Sequence, residues 1–318
     1  MPTFEMPLDQ LRVYMGRNPK PADFDAYWTR ALRVLTSTDA RAELVPHPSP
    51  ARFAKCFDLW FTGVANARIH AKYVRPRDNG PHPAVLKFHG YSGNSGDWFD
   101  MLPWAAQGMA IAYMDVRGQG GLSEDVGGVT GTTLRGQIVR GLSDHPDKLL
   151  FSQIFLDTVQ LARVVMSFPE VDAARVGATG ASQGGGLTLA CAALEPRIAR
   201  AAPVYPFLCD YQRVWEMDLA VEAYEELTEY FKRFDPTHER EEEIFTRLGY
   251  IDVQHFADRI NARVQMTTSL MDMICPPSTQ FAAYNKIKSE KEMVLYPDFG
   301  HEDLPGHKDR VFEFLSEM

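Results

Sequence analysis

The chain has 318 residues, of which 45% are hydrophobic and 24% are charged, a composition typical of a globular protein with a large core. Its formal net charge of -9 argues against nucleic acid or an anionic membrane surface as a partner. No stretch is long and apolar enough to cross a bilayer, and residues 1–10 contain neither a basic nor an apolar leader segment. We therefore expect a cytoplasmic protein.

The first half of the chain predicts a helix, a β-hairpin and then buried parallel strands. A helix is expected over 22–35, followed by a β-hairpin over 56–74 with its turn at 63–66. Short apolar runs typical of buried parallel strands then occur at 84–88, 110–114 and 176–179.

The segment between the last two of these strands contains a long loop and a helix. Residues 118–147 are irregular and rich in glycine, serine and threonine, and a loop of that length inside a compact domain is usually functional. Residues 151–168 have helical periodicity and would form the crossover to the next strand.

The second half resumes the strand–helix alternation after an interruption. A strand reaches Tyr205, and the charged, helical pattern that follows predicts a cap insertion over roughly 208–256. Its glutamate runs at 222–229 and 239–243 are interpreted as solvated helix faces. The remaining elements are a strand at 263–269, a helix at 278–287, a strand at 291–296 and a helix from about 306. The whole pattern predicts one doubly wound α/β domain over 1–318, with a mostly parallel sheet and a helical cap insertion.

The most informative motif is Gly180-Ala-Ser182-Gln-Gly184, which lies between a predicted strand and a predicted helix at 187–194. A sharp strand-to-helix turn of this kind is typical of the nucleophile elbow of α/β-hydrolases. It brings neighbouring backbone close together, so side chains at Gly180 and Gly184 would clash. Ser182 is therefore the candidate nucleophile.

A serine nucleophile needs a base that is itself oriented by an acid, and in this fold the order along the chain is serine, acid, histidine. Asp272 follows the strand at 263–269, and His301 follows the last strand by a short loop. His307, at the start of the final helix, is expected at the surface. The predicted triad is Ser182, Asp272 and His301.

An oxyanion hole requires two backbone N–H groups directed at the developing negative charge. The N–H of Gln183 directly follows the nucleophile. The N–H of Tyr91 lies in the loop after the strand at 84–88, where His89 and Gly90 shape the turn. The Tyr91 ring would either line the pocket or pack as an ordinary core aromatic.

With these residues in place, the chain resembles carbohydrate esterase family 7, the acetylxylan esterases and cephalosporin-C deacetylases. The resemblance covers nearly the whole chain and is carried by Arg117-Gly-Gln119, by Gly180-Ala-Ser-Gln-Gly184 and by His301-Glu302. Ala181, where glycine is common in the family, and the rather polar segment before Asp272 are mild departures. They leave acyl or leaving-group preference open.

The resemblance implies a serine esterase that removes acetyl groups from short xylo-oligosaccharides and related small compounds, antibiotics of the cephalosporin C type included. It also implies a hexamer, in which residues 118–147 would be an interface loop that narrows the entrance. Arg117 and Gln119, together with Glu302, would support the site; Arg117 is expected to make bidentate hydrogen bonds that brace the loops.

No cofactor or metal ion is expected. The glycine-rich stretch at 118–123 lacks the final glycine of a dinucleotide-binding turn, and no histidine spacing suits a metal. The four cysteines, Cys56, Cys191, Cys209 and Cys275, form no C-x-x-C pair and are expected to be buried thiols. Alternative hypotheses are a lactone, thioester or peptide hydrolase of the same fold and a non-catalytic binding protein.

Overall fold

The computed structural model describes residues 4–318, which are built around one nine-stranded sheet. In chain order the strands are β1 (Glu43–His47), β2 (Ala54–Thr62), β3 (Arg68–Pro76), β4 (His82–Phe88), β5 (Ala110–Met114), β6 (Val171–Ala181), β7 (Arg200–Val204), β8 (Arg263–Ser269) and β9 (Lys291–Tyr296).

The sheet is antiparallel at one end and parallel over the rest. Its order is β1-β2-β3-β5-β4-β6-β7-β8-β9. The pairs from β1 to β5 are antiparallel, and all pairs from β5 through β4 to β9 are parallel. The predicted α/β-hydrolase fold with a mostly parallel sheet is confirmed. The carboxyl ends of β6, β8 and β9 consequently meet at one edge, where ligands bind in sheets of this kind.

Helices cover both faces of the sheet. They are α1 (Leu8–Leu11), α2 (Phe24–Thr36), α3 (Leu102–Ala106), α4 (Leu150–Met166), α5 (Gln183–Leu194), α6 (Tyr211–Glu216), α7 (Glu225–Phe234), α8 (Glu241–Leu248), α9 (Pro277–Lys286) and α10 (His307–Ser316). Successive β4 residues face opposite ways: Leu86 belongs to the core that includes α4 and α5, and Val85 to the core that includes α3 and α10. This double cover explains why the parallel strands are continuous apolar runs.

The strand β1 was not predicted, and neither were α1 and α3. The β1 sequence contains Pro46 and is mostly exposed, as expected of an edge strand that pairs on one side only. Its five residues carry no alternating apolar pattern of their own, so only the pairing with β2 identifies them as a strand.

Two segments lie outside the regular alternation. Residues 118–147 contain no helix or strand apart from the start of a 3₁₀ turn at Pro146–Lys148, and residues 208–256 contain α6, α7, α8 and short 3₁₀ turns. The two segments are joined by side-chain contacts: Arg247 donates to the carbonyl oxygens of Leu142 and Asp144 at 3.0 and 2.7 Å. The Tyr230 hydroxyl lies 2.7 Å from Ser143 Oγ.

Two expectations about individual side chains were wrong. His307 is buried rather than at the surface, and its Nδ1 lies 2.6 Å from the Leu304 carbonyl oxygen. Glu226, expected on a solvated helix face, is only 1% exposed. The four cysteines are free and buried, as predicted. Within residues 4–318, none of the helices has the length and apolarity that a bilayer span requires.

Candidate active site

Ser182 occupies a tight turn between β6 and α5. Its backbone has φ 58° and ψ -119°, a conformation that L-residues rarely adopt. A Cβ added to Gly180 would lie 2.5 Å from the Phe88 carbonyl oxygen, and one added to Gly184 would lie 2.1 Å from the same oxygen. The clash predicted for these two positions is confirmed. The glycines allow β4 to approach the turn and thereby bring the loop after β4 next to Ser182.

Asp272, His301 and Ser182 form a continuous hydrogen-bonded chain. Asp272 Oδ2 lies 2.8 Å from His301 Nδ1, and His301 Nε2 lies 3.0 Å from Ser182 Oγ. The other Asp272 oxygen accepts from the backbone N–H groups of Ile274 at 2.9 Å and Cys275 at 2.7 Å. Because the carboxylate holds a proton on Nδ1, Nε2 is free to accept the proton of the serine hydroxyl.

Two backbone N–H groups belong to residues next to the triad. Gln183 directly follows Ser182, and Tyr91 lies in the loop after β4, which approaches the turn at Ser182. In the part of the chain that the structure describes, neither N–H donates to a protein acceptor. The two loops are linked by their side chains, because Gln119 Nε2 donates to Gln183 Oε1 at 2.7 Å and Gln183 Nε2 donates back to Gln119 Oε1 at 3.0 Å. Gln119 Oε1 also accepts from the Ser92 N–H at 2.9 Å. This network fixes the spacing of the two free donors.

His89 fixes the turn that precedes Tyr91. Its Nε2 accepts from the Val116 N–H at 3.0 Å, and its Nδ1 lies 2.7 Å from the Gly90 carbonyl oxygen. Burial lowers the pKa of His89, which favours the neutral ring that this pattern requires. Because both ring nitrogens are engaged by backbone groups, His89 orients the loop and takes no part in proton transfer.

Ser182 and His301 line a cleft of about 470 Å³. The residues that line it come from the loop after β4, the turn at Ser182, segment 118–147, the insertion and the loops after β8 and β9: Gly90, Tyr91, Ser92, Arg135, Ser182, Glu222, Ala223, Ile274 and His301. Within this lining, Arg135 donates to the Glu222 carbonyl oxygen, a contact between segment 118–147 and the insertion.

Arg117 and Glu302 support the loops around the cleft. Arg117 is fully buried and makes two hydrogen bonds of 2.6 Å to Asp157 on α4, with a third of 2.7 Å to Gln153. These hydrogen bonds attach the start of segment 118–147 to α4. Glu302 accepts from the Gly300 N–H at 2.9 Å and stabilises the turn that carries His301.

Two residues of the site were missed in the sequence. The thiol of Cys275 is buried within 4.8 Å of the nearest ring nitrogen of His301 and carboxylate oxygen of Asp272, and burial raises its pKa. Its position three residues after Asp272 was the available signal. Glu226 accepts a hydrogen bond from the Tyr91 hydroxyl. Nothing in the sequence separates it from the other glutamates of its run.

Asp272, Cys275 and His301 offer atoms within 4.8 Å of one another and form the one candidate metal group among residues 4–318. The nearest oxygen of Asp272 and the Nδ1 of His301 are already hydrogen-bonded to each other. The Cys275 thiol is held protonated by burial, whereas a metal ligand must be a thiolate. The donor set therefore suits proton transfer better than metal binding.

Solved structures and curated proteins are similar to this chain. The acetyl xylan esterase 1 from Thermoanaerobacterium sp. JW/SL YS485 is 58% identical, with a TM-score of 0.97 over 99% of both chains. An acetyl xylan esterase from Paenibacillus sp. R4 is 39% identical, with a TM-score of 0.94 over 98% of this chain and 99% of that one.

Among curated proteins, the acetyl esterase Axe7A of Xylanibacter ruminicola is 26% identical over 285 residues. The match covers 87% of this chain and 62% of the length of Axe7A. The family model for acetyl xylan esterases, AXE1, matches residues 1–318. On that match over its whole length, the chain belongs to the acetyl xylan esterase family.

Proposed function

We propose that the protein is a serine esterase that removes acetyl groups from acetylated xylo-oligosaccharides and related small acetyl esters. The observation that carries this proposal is the chain Asp272–His301–Ser182 at the floor of a cleft with two free backbone donors. Membership of the acetyl xylan esterase family supports acetylated sugars as the substrate class.

In the first half of the proposed reaction, Ser182 Oγ attacks the acetyl carbonyl carbon while its proton passes to Nε2 of His301. Asp272 stabilises the resulting imidazolium through Nδ1. The carbonyl oxygen becomes an oxyanion that accepts from the N–H groups of Gln183 and Tyr91. The ester C–O bond then breaks, and His301 protonates the departing sugar oxygen.

In the second half, water replaces the sugar. His301 Nε2 removes a proton from the water as the water oxygen attacks the acetyl-serine carbonyl carbon. The bond to Ser182 Oγ breaks, the proton returns to that oxygen, and acetate leaves. Each step uses the same two donors for the negative charge, so no further group is required.

The lining of the cleft supports a small acyl group and a polar alcohol. Ile274 and Ala223 provide apolar contact near Ser182, whereas Arg135 and Ser92 can hydrogen-bond to sugar hydroxyls. The contact between Arg135 and Glu222 limits the width of the mouth, which favours short oligosaccharides over polymer. Small acetylated antibiotics related to cephalosporin C satisfy the same size limit.

We also propose a homo-oligomer, a hexamer by family resemblance, in which segment 118–147 contacts a neighbouring copy. Leu134 in this segment is 98% exposed and Leu122 is 62% exposed, and both would be covered by such a contact. Light scattering on a size-exclusion column should give six times the mass of one chain. The four free, buried thiols support a reducing compartment and hence a cytoplasmic location, which cell fractionation would test.

The function is tested by hydrolysis of p-nitrophenyl esters from acetyl to octanoyl and of acetylated xylo-oligosaccharides, with Ser182→Ala in parallel. We expect a steep preference for acetyl and a loss of about 10⁴-fold or more in the variant. Activity biased to long chains would overturn the deacetylase assignment but retain the nucleophile.

Two further substrates address the alternatives. Faster turnover of a peptide anilide or of a lactone than of acetyl esters would indicate another hydrolase of the same fold. Full activity in Ser182→Ala would overturn Ser182 as the nucleophile. A folded wild-type protein that hydrolyses none of these and resists a fluorophosphonate would be a binding protein.

A further inference from the structure

Glu226 is a buried carboxylate at the start of α7, in the insertion. Both of its oxygens are used by other segments: Oε1 accepts from the Tyr91 hydroxyl, and Oε2 accepts from the Val139 N–H at 3.1 Å. The side chain therefore joins three parts of the molecule that meet at the cleft, namely the loop after β4, segment 118–147 and the insertion.

Tyr91 carries one of the two free backbone donors, and its side chain makes contacts that are separate from the glutamine network. The ring packs edge-on against Phe207 with centroids 5.8 Å apart, and its hydroxyl ends at Glu226. The next residue along the backbone, Ser92, donates its N–H to Gln119. The backbone at Tyr91 is thus held by two sets of contacts, one through the Tyr91 side chain and one through the Ser92 N–H. Glu226 makes the polar contact of the first set.

A role in packing alone does not account for Glu226. A buried carboxylate must be compensated by hydrogen bonds, and replacing buried ionic groups by apolar residues of similar volume is often neutral or stabilising. Burial raises the pKa of Glu226, consistent with that desolvation. What the carboxylate provides, and an apolar side chain does not, is a fixed acceptor for a tyrosine hydroxyl.

We propose that Glu226 is a positioning residue for the oxyanion hole, which acts through the Tyr91 side chain to hold the Tyr91 N–H in line with the N–H of Gln183. The inference rests on the proposed esterase function. It makes the insertion part of the catalytic geometry as well as part of the cleft wall. A donor displaced by about 1 Å can cost on the order of 10²-fold in rate.

The test compares Glu226→Leu, Glu226→Gln, Tyr91→Phe and the double variant Tyr91→Phe/Glu226→Leu in kcat and KM for p-nitrophenyl acetate. We expect kcat to fall on the order of 10-fold to 100-fold in Glu226→Leu, with KM within about 2-fold, because the oxyanion forms after substrate binds. Glu226→Gln should restore part of kcat, since its oxygen can still accept from the Val139 N–H. The double variant should be no slower than Glu226→Leu, because both changes remove the same hydrogen bond between the Tyr91 hydroxyl and Glu226.

Two substitutions on the same helix serve as controls. Glu229→Gln changes a glutamate that pairs with Arg233 away from the cleft, and Tyr230→Phe removes a different contact between the insertion and segment 118–147. Both should keep kcat within about 2-fold. Circular dichroism and thermal unfolding show whether each variant is folded, and Tyr91→Phe removes one oxygen only and keeps the test valid should Glu226→Leu not fold.

The outcomes separate this inference from the proposed function. Unchanged kcat in Tyr91→Phe and in a folded Glu226→Leu would overturn the inference while leaving the esterase intact. A reduction as large in Tyr230→Phe would also overturn it, because general loosening of the insertion would then suffice. The rate at which a fluorophosphonate labels Ser182 also depends on the oxyanion hole and needs no acetyl substrate. An unchanged labelling rate in both variants overturns the inference even if wild type hydrolyses no acetyl ester.

Discussion

The floor and the entrance of the cleft are built by different means. At the floor, the turn at Ser182 is fixed by backbone packing against backbone, with Gly184 so close to Phe88 that no side chain fits. At the entrance, segment 118–147 and the insertion are joined by separate side-chain contacts, such as Glu226 to Val139 and Arg247 to Leu142. Steric contacts of backbone tolerate almost no substitution and do not depend on pH, whereas polar side-chain contacts can be exchanged one at a time. We therefore expect single substitutions to alter substrate preference at the entrance more readily than the hydrolytic chemistry at the floor.

The floor should show the largest effect, in the variant Asp272→Asn. The new side-chain oxygen would have to accept from the N–H groups of Ile274 and Cys275, so the NH₂ group of the amide would face His301. The imidazole would then carry its proton on Nε2 and could not accept one from the serine hydroxyl. We expect kcat for acetyl esters to fall about 10⁴-fold. The exposed neighbour Asp303, changed to Asn, should stay within about 2-fold of wild type. More than a tenth of wild-type activity in Asp272→Asn would contradict the assigned tautomer.

The junction of floor and entrance should show the next largest effect, in stability. Asp157→Ala would leave the fully buried Arg117 unpaired, at a cost of about 3–5 kcal/mol in the free energy of unfolding. Asp172→Ala removes the partner of Arg175 in a surface pair and should cost under about 1 kcal/mol. Urea unfolding monitored by tryptophan fluorescence measures both. Equal losses would mean that Arg117 is not anchored as the structure shows.

The steric character of the floor is tested by Gly184→Ala. The new Cβ would lie 2.1 Å from the Phe88 carbonyl oxygen, and we expect a loss of about 1–3 kcal/mol together with reduced kcat, because the turn must shift. Gly128, in segment 118–147, has nothing within 4 Å of an added Cβ. Gly128→Ala should therefore be nearly neutral in stability and kcat. A neutral Gly184→Ala would remove the proposed contrast between floor and entrance.

The polar contacts at the base of the insertion, which carries one wall of the entrance, are tested by pH. Burial and the negative charge of Asp210 raise the pKa of Asp252 to about 7 from an ordinary value of 3.8. The folded state therefore binds this proton more tightly, so the contribution to stability is complete below about pH 4 and is lost as pH rises to about 7. The slope is at most about 1.4 kcal/mol per pH unit.

Asp252→Asn should remove this slope from the free energy of unfolding measured in urea between about pH 4 and 7. The exposed Asp258, changed to Asn, should retain it. An unchanged slope in Asp252→Asn would show that Asp252 is ionised in the folded protein over the whole range. The base of the insertion would then resemble the floor of the cleft, in that its stability would not depend on pH over this range.

The sheet and the hydrogen-bonded chain could be predicted from the sequence because their signals are local. Strands β5, β8 and β9 have the predicted bounds, and Ser182, Asp272 and His301 each follow a strand directly or by a short loop. The strand order then brings them together, since the carboxyl ends of parallel strands share one edge.

The entrance could not be predicted because its contacts join distant parts of the chain. Glu226 is buried by Tyr91 and Val139, which are 135 and 87 residues away, and its own run of glutamates predicts exposure. His307 is buried by packing of α10 on the sheet, although its helix begins where the sequence predicts. Burial of a polar side chain depends on tertiary partners, which a local pattern does not contain.

The two ends of the insertion meet. The Val253 N–H donates to the Leu208 carbonyl oxygen at 3.0 Å, and the Asp210 N–H donates to the Asp252 carboxylate at 3.0 Å. A segment closed at its base can change length at low entropic cost, about 0.6 kcal/mol for each doubling. The insertion is therefore a natural unit for exchange between relatives: a chimera joined at residues 208 and 253 would keep the sheet and the hydrolytic residues while receiving a new cleft wall.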